Sequence, residues 1–166
     1  MSENALIPTA IHGEETSNEE HHLFVTMTID NQLFGIPVLL VRDVLGPQHI
    51  NIIPLAPPEV AGSLNLRGRV VTAIDLRKRL GLPPRADDDP GMSVVVEHGN
   101  ELYSLIIDEV GEVLSLPASA SEAIPTTLDD TWRNITIGIY QLDDELMVEL
   151  DIERILDFGD ADTEAA

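Results

Sequence analysis

The sequence predicts a mainly β protein made of two small, similar barrels with short helices, and three observations carry that prediction. Apolar residues recur at every second position, as in "LFVTMTI", "MSVVVEH" and "NITIGIY", which is the period of a half-buried strand. The blocks also repeat. A shift of 69 residues carries Asn31, Leu33, Phe34, Val41, Val44 and Leu45 onto Asn100, Leu102, Tyr103, Val110, Val113 and Leu114, and a shift of 76 carries Gly62, Leu66, Asp75 and Leu80 onto Gly138, Leu142, Asp151 and Leu156. Such a period is too long for a solenoid unit and too short for two independent large domains. Finally, 166 residues with 43% apolar content can bury one sizeable core, whereas each copy alone would have a marginal one. The copies, 23–82 and 93–157, are therefore expected to pack or interweave into one domain over residues 22–158. Acidic segments 1–21 and 159–166, low in apolar content, read as flexible tails.

From Leu23, residues Leu23, Val25, Met27 and Ile29 are expected on one face of a strand, with Thr26 and Thr28 on the other. Asn31-Gln32 then turns the chain into "LFGIPV". "LLVRDVLGP" fits either a short helix or a bulged strand, closed by Gly46 and Pro47. "INIIP" reads as a strand, and "LAPPEVAG" as a proline-bounded connection with at most one helical turn. Leu64 and Leu66 alternate, Arg67-Gly68 supplies a tight turn, and Val70 to Ile74 returns. Asp75 then caps a short helix that Gly81 ends. After the loop "PPRADDDPG", three strand blocks follow: "MSVVVEH", the Gly99-Asn100 turn and "LYSLIID", and "EVGEVLSLP". In the last block Ile135, Ile137 and Ile139 alternate with Thr136, Gly138 and Tyr140. Asp143-Asp144 turns the chain into "ELMVEL", and "DIERIL" is a capped helix.

A formal net charge of −21 argues against nucleic acid or an anionic membrane surface as the main partner. No continuous apolar run approaches the roughly 20 residues of a membrane span, and the first twenty residues lack the basic start and apolar core of a secretory signal. A soluble, cytoplasmic protein is expected. Absence of cysteine removes disulfides, thiolate metal sites and a cysteine nucleophile. Neither a phosphate-binding glycine loop nor a hydrolase nucleophile elbow is present. The five histidines are not at metal-ligand spacing, and Asp87-Asp88-Asp89 lacks the alternating ligands of a calcium loop. Asn134-Ile135-Thr136 matches a glycosylation sequon but falls in an expected strand. No catalytic residue, metal or cofactor is expected.

Six of the nine basic residues fall between Arg67 and Arg85. Arg77, Lys78 and Arg79 sit toward the C-terminal end of the expected helix, where its dipole favours cations, and read as a solvated face. Arg67 is different. Where the first copy carries Arg67-Gly68-Arg69 at its turn, the second carries Asp143-Asp144-Glu145. Turn chemistry alone would accept either set, so the contrast points to a binding role for Arg67.

At "AGSLNLRGRVVTAIDLRKRLGL" the chain resembles the CheW family, the coupling proteins of bacterial chemotaxis. The blocks "LFVTMTIDNQLFGIPVLLVRDVLG", "SLIIDEVGEVLSLP" and "ELMVELDIERIL" are similar to the family's opening, middle and close. Two departures stand out: Thr72-Ala73 where the family commonly has Pro and a β-branched residue, and Ser104 where it often has Gly. The resemblance implies two five-stranded, SH3-like barrels and no catalytic activity. It also implies an adaptor at inner-membrane receptor arrays, bridging chemoreceptor cytoplasmic tips to the regulatory domain of the histidine kinase CheA. By motif match, Val41, Asp43, Gly62, Arg67, Ser104 and Val110 fall at positions the family uses for receptor or kinase contact. A scaffold of a non-flagellar kinase pathway is the neighbouring alternative. A carboxylate-dependent hydrolase is a distant one, with no carboxylate pair beside an orienting group.

Overall fold

In the computed structural model, which describes residues 20–86 and 88–157, each two-residue hairpin turn holds both of its central residues in a left-handed backbone. Asp30 and Asn31 (φ 52° and 66°) join β1 (His21–Ile29) to β2 (Gln32–Pro37). Arg67 and Gly68 (φ 52° and 86°) join β4 (Val60–Leu66) to β5 (Arg69–Asp75). Gly99 and Asn100 (φ 60° and 68°) join β6 (Met92–His98) to β7 (Glu101–Ile107). Positive φ at both central residues matches the right-handed twist of the flanking strands. The remaining strands are β3 (Val41–Leu45), β8 (Glu109–Pro117), β9 (Ser121–Glu122), β10 (Thr136–Gln141) and β11 (Leu146–Leu150). Three short helices, α1 (Leu76–Arg79), α2 (Asp130–Asn134) and α3 (Ile152–Ile155), are capped by the side chains of Asp75, Asp129 and Asp151. None of the described helices is long and apolar enough to cross a membrane.

The strands form a six-stranded sheet, ordered β8-β1-β2-β11-β10-β9, and a five-stranded sheet, ordered β3-β6-β7-β5-β4. They do not sort by repeat. The first copy's opening hairpin, β1 and β2, joins the sheet made by the second copy's later strands, while the second copy's hairpin, β6 and β7, joins the first copy's. The exchange is register-true: Met27 faces Val110 in one sheet as Val96 faces Val41 in the other, and Glu149 faces Gly35 as Ala73 faces Ser104. Interweaving of the copies is thus a swap of hairpins, which merges their cores. The largest apolar cluster draws on both sheets, with Met27, Ile29, Phe34, Ile36, Val148 and Leu150 meeting Ile74, Val94, Val96, Leu105 and Ile107. Smaller clusters fill each sheet's own concavity: Leu64, Val71, Ala73 and Ile106 in one, Phe24, Tyr140 and Met147 in the other. Burial of this scale is the main term holding the fold. Trp132 ties α2 down, donating from Nε1 to the Leu80 carbonyl at 2.9 Å and laying its ring against Phe34.

Several expectations need correction. "INIIP" contributes one isolated bridge, Asn51 to Ser63, and no strand; Pro54 and Pro57 cannot donate to a ladder. "LLVRDVLGP" resolves into a 3-10 turn over Val38–Leu40 and then β3, bulged between Val41 and Asp43. Another bulge, between Val25 and Met27, breaks the alternation of β1. Leu23 is consequently exposed, while Phe24 and Thr26 are buried, and the Thr26 hydroxyl donates to the Glu112 carbonyl at 2.6 Å. A bulge in β10 likewise turns Ile137 outward and Gly138 inward. Asn134 of the sequon lies in α2. β1 begins at His21, and the Glu20 carbonyl accepts from Ala118 N at 2.8 Å, so ordered pairing starts one residue before the expected boundary. The rest of the expected tails, and Asp87, lie outside the described residues.

The helix arginines are not a solvated face. Arg77 forks onto Asp108, Nε to Oδ1 at 3.0 Å and Nη2 to Oδ2 at 2.6 Å, and its Nη1 donates to the Pro83 carbonyl at 2.7 Å. Arg85 adds a contact to Asp108 Oδ1 at 3.1 Å, and the Asp30 N–H one to Oδ2 at 2.8 Å. Arg79 reaches the carbonyls of Ile155 and Arg154 at the end of α3. These cations staple one copy to the other. They answer why basic residues gather here: Arg77, Arg79 and Arg85 are spent on the fold.

Candidate functional site

Arg67 sits on the tight β4-β5 turn and projects to solvent, its side chain 73% exposed. Its Nη2 lies 2.9 Å from Oδ2 of Asp43 on β3. Since β3 and β4 are the opposite edges of the five-stranded sheet, this ion pair spans the seam along which that sheet curls toward closure. Asp43 is held below the usual carboxylate range by its hydrogen bond with Arg67, helped by one from the Val44 N–H. A surface pair of this kind contributes little to stability, but it fixes a guanidinium and a carboxylate beside an unpaired strand edge. Its backing is rigid, because Val41 on the same edge strand packs into the central core.

The seam of the other sheet has the opposite character. Glu112 of β8 stands where Asp43 stands in the repeat, and Asp143 where Arg67 stands. With no ion pair between them, Glu112, Asp143, Asp144 and Glu145 rim an open cavity floored by Leu33, Leu114, Leu116 and Leu142. The molecule thus presents one ion-paired seam and one acidic seam. Val110, the counterpart of Val41, packs from β8 against the central core.

Of the residues singled out in the sequence, Asp43 and Arg67 are brought into direct contact, with Val41 on the same strand. Gly62 is buried on β4, five residues before Arg67, and acts through its backbone. Its φ is +148°, and a Cβ there would fall 2.2 Å from the Asn51 carbonyl oxygen. Only glycine lets Asn51 bridge Ser63 and seat the connection that follows. Ser104 does not belong to a surface. It lies on β7 between β6 and β5, fully buried, and its hydroxyl has no hydrogen-bond partner among the described residues. A partner could not touch it without opening the sheet, contrary to the contact expected from the motif match.

Sequence reasoning missed two features. Ile52 and Leu55, in the connection that Asn51 anchors, are exposed, and Leu55 has a φ of 64° that a leucine rarely adopts. The proline-rich composition marked a loop there but not an apolar tip. The other is Glu149, a buried carboxylate inside "ELMVEL"; the repeat, which sets Ala73 in its place, was the available signal. Among the described residues, no group of three or more His, Asp or Glu side chains could hold a metal ion.

The CheW-like domain family model matches residues 23–159. The chain is 30% identical over 143 residues to the chemotaxis protein CheW of Helicobacter pylori, covering 86% of each. It is 28% identical over 142 residues to that of Klebsiella aerogenes, covering 86% of this chain and 84% of the relative. Among solved structures, the scaffolding protein TtCheW from Thermoanaerobacter tengcongensis superposes with a TM-score of 0.75 at 27% identity, over 83% of this chain and 94% of that one. A family model matching most of the chain and a relative 30% identical over 86% of it show that the chain belongs to the CheW family of chemotaxis proteins.

Proposed function

We propose that this protein is an adaptor that couples the cytoplasmic tips of chemoreceptors to the regulatory domain of the histidine kinase CheA, within receptor arrays at the inner membrane. The observation that carries the reading is the difference between the two seams. One presents Arg67 and Asp43 beside the β3 edge; the other presents acids around an apolar floor. A bridge must bind two partners at once and in a defined order. Distinct electrostatics at equivalent places on a pseudo-symmetric body supply that, since like-charge mismatch excludes the reversed orientation.

In this reading Arg67 and Asp43 make the polar contacts of one face, Val41 stiffens it from behind, and Gly62 shapes its backbone. Val110 supports the corresponding edge of the other sheet. Arginine suits the role because its guanidinium stays charged and can leave Asp43 for a forked bond to a partner carboxylate. Arg67→Glu would set two acids against each other across the seam without touching the core. Circular dichroism and the thermal midpoint should stay close to wild type, while co-sedimentation with receptor-bearing membranes and the CheA regulatory domain weakens roughly tenfold or more. Unchanged co-sedimentation would remove Arg67 from the interface, and lost ellipticity would make it a folding residue.

A further inference from the structure

Glu149 is the carboxylate that the fold does not require. It lies on β11, opposite Gly35 of β2, and is 9% exposed. At the equivalent place in the other sheet stands Ala73, opposite Ser104, so the same architecture is built there with a methyl group. No hydrogen bond or ion pair to Glu149 occurs among the described residues, although a buried carboxylate is costly unless it is paired. Its side chain lines a cavity of about 500 Å³ with Leu23, Phe24, Pro37, Val38, Leu39 and His22. Burial raises the carboxyl above its ordinary range and Asp151 adds to this, while His22 opposes both.

The surroundings define what would satisfy this group. The walls set the imidazoles of His21 and His22 beside hydrocarbon from Phe24, Pro37 and Val38, and the His22 ring meets that of Phe24 edge-on at 6.3 Å. Two leucines stand exposed at the rim, Leu39 at 84% and Leu23 at 48%. Glu20 stands at the mouth, its carboxylate 4.0 Å from His22 Nε2. A carboxylate at the back, a second at the mouth and hydrocarbon between them match a cation on an aliphatic stem. Metal binding is disfavoured, since no cluster of ligating side chains forms among the described residues.

We infer that this cavity is a binding site for a lysine side chain of a protein partner, whose ammonium group pairs with Glu149 while neighbouring apolar residues cover Leu23 and Leu39. A protein is preferred to a free amine because a small cation would leave the exposed rim in water. The site is separate from the Arg67 seam, and the inference stands whichever partner occupies that seam.

The test is an NMR titration of the full chain with n-butylammonium, which reproduces the lysine side chain. It is repeated with the capped peptide acetyl-Leu-Lys-Leu-amide and with its norleucine analogue, which lacks the charge. Saturable shifts at the amides of Phe24, Val38 and Leu39 are expected. The lysine peptide should bind roughly tenfold more tightly than butylammonium, and Glu149→Gln should weaken both at least tenfold. Equal affinity for peptide and amine would show a small-cation site and overturn the assignment to a protein, as would norleucine binding as well as lysine. Binding retained in Glu149→Gln would overturn the role of the carboxylate. Glu149→Leu provides the control on folding: removing an unpaired buried charge should raise the thermal midpoint by roughly 2–4 °C, whereas a fall would make the carboxylate a structural group and refute the inference.

Discussion

Replacing Asp108 by Asn tests the ionic staple that joins the two copies. Asp108 accepts from Arg77 twice, from Arg85 and from the Asp30 N–H, and the three side chains are only 16%, 12% and 11% exposed in the order Asp108, Arg77, Arg85. Burial alone would raise its carboxyl, but the Arg77 fork, the Asp30 N–H and Arg85 together outweigh burial and hold it at about 2, below its ordinary value of 3.8. That depression corresponds to about 2 kcal/mol of stability at neutral pH. The contacts lead to a similar figure by a separate route. Removing one partner of a fully buried pair costs about 3–5 kcal/mol, and this site, still partly reached by water, belongs below that range. Asn keeps the shape and one acceptor but leaves two guanidinium groups facing a neutral amide. For a chain of this size the loss should lower the thermal midpoint by roughly 4–8 °C at pH 7. Because the folded value lies below the unfolded one, the stabilisation is complete above about pH 4 and lost as pH falls through about 2. The assay is urea denaturation of wild type and variant, followed through Trp132, at several pH values. The gap between the curves should be widest at neutral pH and shrink on acidification. A gap that is absent at pH 7, or independent of pH, would falsify the staple.

Ser104→Ala removes a buried hydroxyl that has no partner among the described residues while keeping its Cβ. It should stabilise the fold by about 1 kcal/mol, read as a higher urea midpoint at unchanged slope; destabilisation would mean that the hydroxyl is satisfied in solution. Gly62→Ala places a methyl 2.2 Å from the Asn51 carbonyl oxygen, on a backbone with φ +148°. It should cost about 3 kcal/mol or more and speed amide exchange at Asn51 and Ser63, and a stable variant with slow exchange there would contradict the proposed role of Gly62.

Local chemistry made most elements legible in the sequence. Gly68 and the Gly99-Asn100 pair announce tight turns because glycine and asparagine tolerate positive φ, and Asp75 and Asp151 announce helix starts because each can accept from the first turn. The repeat displayed two equivalent copies but not which hairpin pairs with which sheet, since a period of two says nothing of the partner strand. Arg77 reads like any solvated helix cation because Asp108, which buries it, is remote in the sequence. Bulges in β1 and β10 shift side-chain parity by one residue, so Leu23 and Ile137 turn outward although simple alternation puts them inside. The Arg67 seam was half visible: the charge contrast between copies marked Arg67, but its contact with Asp43 arises from closure of a sheet.

Whether the chain bridges two partners is decided by a three-component sedimentation experiment. Receptor-bearing membranes and the CheA regulatory domain are mixed with and without the protein, and the kinase fragment in the membrane pellet is measured. A bridging protein should pellet the fragment in proportion to its own concentration up to saturation, and a large excess should reduce pelleting again as each partner becomes separately occupied. A pellet whose kinase content does not depend on the protein, while the protein binds one partner alone, would contradict the bridge.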